Sequence, residues 1–237
     1  MALLNGKRCL VFDAGDGMGA ALAASLAAEG AQVWRAGPDG NGPFDGQAQG
    51  VDGAFAAAQQ AFGGLDAIVG PAPQLEAILP KDWDTAQFAA LAARHGALTA
   101  AIGRAALAGL AAPGAVCFLG SVWGLASSPD SGLAGGALAA LGPLTKALAL
   151  EGVGRGIRVN AAYLGLIDTP AMRAWCAQRG AVGGITDDVF ARTAAKIPLG
   201  RAGTAQEVAR SVAFLLSEHA RFINGATILL DGGLLYA

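Results

Sequence analysis

The chain has 237 residues, 54% of them hydrophobic and only 14% charged, with a formal net charge of −2. Such apolar content excludes a disordered polymer, and the lack of any basic run excludes a nucleic-acid surface. A length of this order admits one large domain or two small ones. The Ala/Leu-rich stretches at 97–103 and 105–150 approach the length of a membrane span. Gly and Pro punctuate them, so they read as buried helices and strands. The N-terminus MALLNGKRCLVF lacks the basic, apolar and small-residue order of a secretory leader, and a cytoplasmic location is expected. Cys9, Cys117 and Cys176 are odd in number and far apart, which fits reduced thiols better than a disulfide frame.

In chain order, RCLVF (8–12) predicts a strand and leads into a helix over 18–29 that Gly30 terminates. AQVWRA (31–36) predicts the second strand, followed by a Gly/Pro/Asp/Asn-rich loop over 37–50 and a short helix to about Phe62. LDAIVG (65–70) and GAVCFLG (114–120) predict the third and fourth strands, with a helix at about 88–110 between them. A long Ala/Leu helix at about 134–152 precedes IRVNAAYLG (157–165). EVARSVAFLLS (207–217) is amphipathic at helical spacing, and ATILLDGG (226–233) closes the set. Strands alternating with helices imply an α/β fold: a doubly wound parallel sheet with helices on both faces. No linker divides the chain, so residues 1–237 are expected to form a single domain.

Six ordered segments resemble the short-chain dehydrogenases/reductases. GMGAALA matches the second half of that family's TGxxxGIG turn, and FGGLDAIVGPAP stands where FGGLDVLVNNAG is expected. GSVWG (120–124) resembles the strand end that carries the catalytic serine, and LTKALALE (144–151) the end of the active-site helix. IRVNAAYLGLIDTPAM and GRAGTAQEVARSVAFLLSEHARFINGATILLDGG follow the family's C-terminal half. The resemblance implies a Rossmann-type sheet, NAD(P)-dependent hydride transfer, and a serine, tyrosine, lysine and asparagine set.

The residues at those positions point elsewhere. Ser121 keeps the serine position, but the tyrosine position falls on Ala134 and the lysine position on Leu138. Neither side chain can move a proton, which removes the ~10²–10⁴-fold contribution of general acid–base catalysis. His95 or a neighbour stands at the asparagine position. In the glycine turn the threonine is replaced by Phe12 and the first glycine by Asp13, while Gly15, Gly17 and Gly19 remain. A carboxylate at Asp13 or Asp16 opposes a pyrophosphate and can itself accept the free N–H groups of the helix start. Gly37 replaces the acid that would hold the adenosine ribose, and Gly70-Pro71-Ala72-Pro73 replaces NNAG. The expectation is no catalytic residue, no bound cofactor and no metal site, with Ser121 vestigial and only His95 and His219 as histidines.

Tyr163 lies at a strand's C-terminal end, the edge where ligands bind in such sheets, although a hydroxyl satisfied by backbone explains it more simply. Trp83, Trp123 and Trp175 can line a pocket, but core packing explains them more cheaply. The apolar helices at 88–110 and 134–152, and the segment from 207 to the tail, are the surfaces through which the family pairs its subunits. The resemblance therefore implies an inactive subunit of a hetero-oligomer, a heterotetramer with an active paralogue. The cofactor-free partner in 2-[hydroxy(phenyl)methyl]succinyl-CoA dehydrogenase, of anaerobic toluene degradation, is the precedent. The alternatives are a cofactor-independent lyase or dehalogenase using Ser121 and Tyr163, and a ligand-binding module.

Overall fold

A computed structural model describes residues 2–236. The elements run β1 (Arg8–Phe12), α1 (Met18–Ala28), β2 (Gln32–Ala36), α2 (Val51–Phe62), β3 (Leu65–Val69) and α3 (Thr85–Ala92). They continue with α4 (Leu98–Gly109), β4 (Leu110–Ser121), α5 (Gly132–Leu138), α6 (Leu141–Gly152) and β5 (Ile157–Leu164). The chain ends with β6 (Ile167–Asp168), α7 (Pro170–Gly183), α8 (Val189–Lys196), β7 (Gly203–Thr204), α9 (Ala205–Leu216) and β8 (Thr227–Leu230). Six strands form one parallel sheet in the order β2-β1-β3-β4-β5-β8, and β6 pairs with β7 beside it. This is the single α/β unit with a parallel central sheet that the alternation of elements predicts.

The strands are buried on both faces, so successive residues serve two cores. Cys9, Val11, Val69, Cys117 and Ala162 face α1 and α9, where Leu22, Leu26, Val212 and Leu215 cover them. Leu10, Phe12, Ile68, Phe118 and Tyr163 face the opposite layer, built from α2, α4 and α6. All three cysteines are free and buried. Burial pushes the Cys9 and Cys117 thiols up to about 12 and Cys176 to about 11, so each stays protonated.

Two helices differ from the sequence expectation. The expected helix at 134–152 is broken into α5 and α6 around Ala139 and Ala140. Pro143 accounts for the break, because it offers no N–H to the Ala139 carbonyl and its ring crowds that oxygen. The expected helix at 88–110 starts earlier, at Thr85, capped by Asp84, and passes through a π-helical turn at Ala93–Ala97. The helices α7 and α8 were not anticipated. The helical stretch Gly132–Arg155 has the length and apolarity of a membrane span by composition, but α6 packs on β5 and supplies Leu141 and Ala149 to the core.

Candidate functional site

The C-terminal ends of β1, β3, β4 and β5 open on two cavities, as expected where a parallel sheet reverses its winding. The segment Ala72–Gln74 lines both and separates them. A small cavity of about 150 Å³ lies toward α4 and α5, and a larger one of about 520 Å³ lies under α7.

The glycine turn after β1 bonds to its own carboxylates, although Gly15 and Gly17 stay exposed. Asp13, 3% exposed, accepts the Gly15 N–H at 2.8 Å and pairs with Arg35 Nη1 at 2.8 Å. The other arm of Arg35 donates to the Asp39 carbonyl. The carboxylate fills the space beside Gly19, where any added Cβ would collide with it. Gly37 sits at φ 141° with the Asp13 carbonyl oxygen where a Cβ would stand, a place no side chain can share. The loop from Gly37 to Gly42 folds back on β2 and lays Pro38 over Gly15, 3.3 Å from where a Cβ would stand. Pro170, the first residue of α7, stands at the same distance from Gly17. Asp16 Oδ1 accepts the Met18 N–H at 2.9 Å, so the first amide of α1 has an internal acceptor. Burial pushes the Asp16 carboxyl above its ordinary value, and that hydrogen bond offsets the effect in part.

Ser121 ends β4 and is 2% exposed. Its Oγ accepts the Trp123 N–H at 3.3 Å, and the residue lines the larger cavity. Ala134 and Leu138 are buried in α5. Leu138 lines the small cavity and Ala134 neither one, so the structure does not bring these two positions to Ser121 in a single cavity. His95 lies in the π-helical turn, lines the small cavity, and has a buried Nε2 with no hydrogen-bond partner. Burial, helped by the Arg94 charge, pushes its pKa down to about 4, so the ring is neutral.

Tyr163 follows the simpler of its two readings. Its ring points into the core between Gly120, Leu141 and Gly142 and reaches neither cavity, which leaves the ligand-edge role unsupported. Burial raises its pKa, opposed by a hydrogen bond that its oxygen accepts from the Gly142 backbone N–H. Among the tryptophans, Trp175 lines the larger cavity, Trp123 packs edge-on against it at 4.6 Å, and half-exposed Trp83 donates to the Ile78 carbonyl at 3.1 Å.

The roof of the larger cavity is α7, which sequence reading missed. Thr169 caps it by accepting the Met172 N–H at 3.2 Å. Arg179 clamps it to the loop after β4, donating to Asp130 at 2.6 and 3.2 Å and to Ser128 Oγ at 3.2 Å while stacking over Trp175. Burial pushes Asp130 upward, but the hydrogen bonds from Arg179 and Ser128 outweigh it and hold the carboxyl below its ordinary value. Gln178 Oε1 accepts the Ala77 N–H at 3.3 Å. A Thr-Pro pair after a short strand signals the start of α7; nothing local signals where it docks.

The sequence signature of the family described as enoyl-(acyl carrier protein) reductase matches residues 46–235. The chain is also 32% identical to 2-(S)-hydroxypropyl-CoM dehydrogenase 3 of Xanthobacter autotrophicus, over 98% of this chain and 89% of that one. The chain belongs to the short-chain dehydrogenase/reductase family. Among solved structures of the family, a short chain dehydrogenase from Burkholderia cenocepacia in complex with NADP superposes with a TM-score of 0.84 at 27% identity, covering 98% of this chain and 99% of that one. A second relative, named inactive 2-(S)-hydroxypropyl-CoM dehydrogenase 2 of Xanthobacter autotrophicus, is 37% identical over 51% of each chain.

Proposed function

We propose that this short-chain dehydrogenase/reductase chain has left hydride transfer and nucleotide binding, and serves as the non-catalytic subunit of an assembly with an active family member. The self-bonded turn carries the reading. The N–H groups that an anion would use at Gly15 and Met18 are held by Asp13 and Asp16. The residues present do not fit a dinucleotide: a pyrophosphate entering here meets two carboxyl groups and must break the Asp13–Arg35 pair. Ala134 and Leu138 add that no proton donor stands beside Ser121 from α5. A relative named as inactive makes such a loss unexceptional within the family.

Two features support the assembly. Exposed positions along α3 and α4 and the turn between them are mostly alanine (Ala93, Ala97, Ala100, Ala108). The α5–α6 face adds Gly136, Ala139, Ala140, Pro143, Ala147 and the 77%-exposed Leu150. Small side chains of this kind let partner helices approach to the ~8–10 Å typical of packed pairs. Cofactor-independent catalysis by Ser121 and Tyr163 is less well supported, because Tyr163 reaches neither cavity. Calorimetric titration with NAD+, NADH, NADP+ and NADPH tests the reading: no saturable binding is expected, and a micromolar Kd for any of them overturns it.

A further inference from the structure

The edge of the sheet opposite the two cavities, at the N-terminal ends of the strands, carries a large side chain that the fold leaves without cover. Phe222 is fully exposed. It does not stand on a loose tip. Asn160 Nδ2 and Arg158 Nη1 donate to the carbonyl of the next residue, Ile223, at 3.0 and 3.2 Å, and Arg158 Nη2 donates to the Ser217 carbonyl at 3.0 Å. Asn224 ties the same turn to β5 and α6, accepting the Val159 N–H at 2.9 Å and donating to the Ala149 carbonyl at 3.1 Å. The turn between α9 and β8 is therefore pinned on both sides of Phe222, and the ring is held out in water. An apolar knob on a backbone that is already ordered loses little further freedom when a partner covers it.

The same turn borders a cavity of about 280 Å³ at the starts of β4 and β5. Pro113, Gly114, Gly156 and Leu216 give it small or apolar walls, and Glu218 and Arg221, close to Phe222 in the chain, line it as well. Knob and hole thus belong to one turn. The charges follow the same arrangement. Arg221 is exposed and forms no ion pair among the described residues, while exposed Glu218 reaches Lys7 across 3.4 Å. Features so close together are self-complementary about a twofold axis through the turn. Each ring then meets the cavity of the other copy, and Glu218 faces Arg221 of the other copy twice. Any other occupant has to bring a matching knob, hole and order of charge; a second copy carries all three.

We infer that this chain pairs with a second copy of itself through the N-terminal edge of the sheet, Phe222 of each copy filling the cavity of the other. The face shares none of the residues named above for the α5–α6 surface, and the inference does not depend on the nucleotide site being closed. Sedimentation velocity of the full chain carrying Ala140→Arg, which blocks the α5–α6 face, isolates the contact. A concentration-dependent dimer is expected below ~100 μM. Adding Phe222→Ser should raise the dimer Kd at least about tenfold, because two covered rings are lost per dimer, and should leave Tm of the monomer unchanged. Glu218→Arg and Arg221→Glu should each weaken the dimer. An equimolar mixture of those two variants should restore it, since the mixed dimer again sets unlike charges against each other at both pairs. A monomer at every concentration up to ~100 μM, an unchanged Kd in Phe222→Ser, or a mixture no stronger than either single variant overturns the inference. A chain that is monomeric alone, but whose complex with an active family member weakens in Phe222→Ser, gives this face to that member and overturns it too.

Discussion

Removing Asp13 is the sharpest test of the self-bonded turn. Its carboxylate is 3% exposed, and the Arg35 side chain retains 20% of its exposure. Asp13→Ala leaves the Gly15 N–H and Arg35 Nη1 without acceptors, while Nη2 keeps the Asp39 carbonyl. Breaking a buried pair from one side costs about 3–5 kcal/mol, and water reaching Arg35 reduces this to about 2–4 kcal/mol. At about 2–4 °C per kcal/mol for a chain of this size, Tm should fall by about 5–15 °C. Arg35→Ala should cost at least as much, because the carboxylate it abandons is the more buried partner. The double variant should cost less than the sum of the two, with a coupling of about 1–3 kcal/mol. Urea denaturation of the four proteins measures the cycle. A loss below about 0.5 kcal/mol for Asp13→Ala, or strict additivity, refutes the claim that the turn is held from within.

Placing a tyrosine at Ala134 and a lysine at Leu138 should restore no hydride transfer, and the ammonium buried at Leu138 should lower Tm; NAD(P)H absorbance with a panel of alcohols checks the first and calorimetry the second. Ala140→Arg and Ala147→Arg, both at exposed positions of the α5–α6 face, should split an assembly without changing Tm of the isolated chain, read by chromatography with light scattering; a wild-type chain that stays monomeric alone and with an active family member ends the assembly proposal. Asp16→Asn should raise Tm at pH 7. The folded pKa of Asp16 lies above its unfolded value of 3.8, so the native state is penalised where the group ionises and the gain should vanish below that value; a gain that persists at pH 3 contradicts the assignment.

The sheet was legible because each strand carries its own evidence. In CLVF, alternate residues supply two different cores, and the run stays apolar because both faces are covered. The ends of elements were less legible. The break at 139–140 has a local cause in Pro143, visible once the four-residue reach of a proline ring is considered. The docking of α7 has none, since Arg179 and Asp130 lie 49 positions apart and only the folded chain brings them together. The same holds at the turn. Asp13 was visible as an acid in the wrong place, but its partner Arg35 lies 22 positions away and its cover, Pro38, sits in a loop without periodic pattern. At Tyr163 the simpler reading of a backbone-satisfied hydroxyl holds, because side chains at a strand end alternate in direction and position 163 falls on the core-facing phase.

On the proposed reading, loss of chemistry and loss of a ligand leave different marks. Alanine and leucine at 134 and 138 need no compensation, because a small apolar side chain in a buried helix leaves nothing unsatisfied. An anion site cannot be abandoned so simply. It leaves N–H groups at a helix start and a gap shaped by glycines, and those must be met by something. Here Asp13 and Asp16 meet two of them, and Arg35 answers the charge that Asp13 buries. The compensations depend on one another, so no single reversal reopens the site.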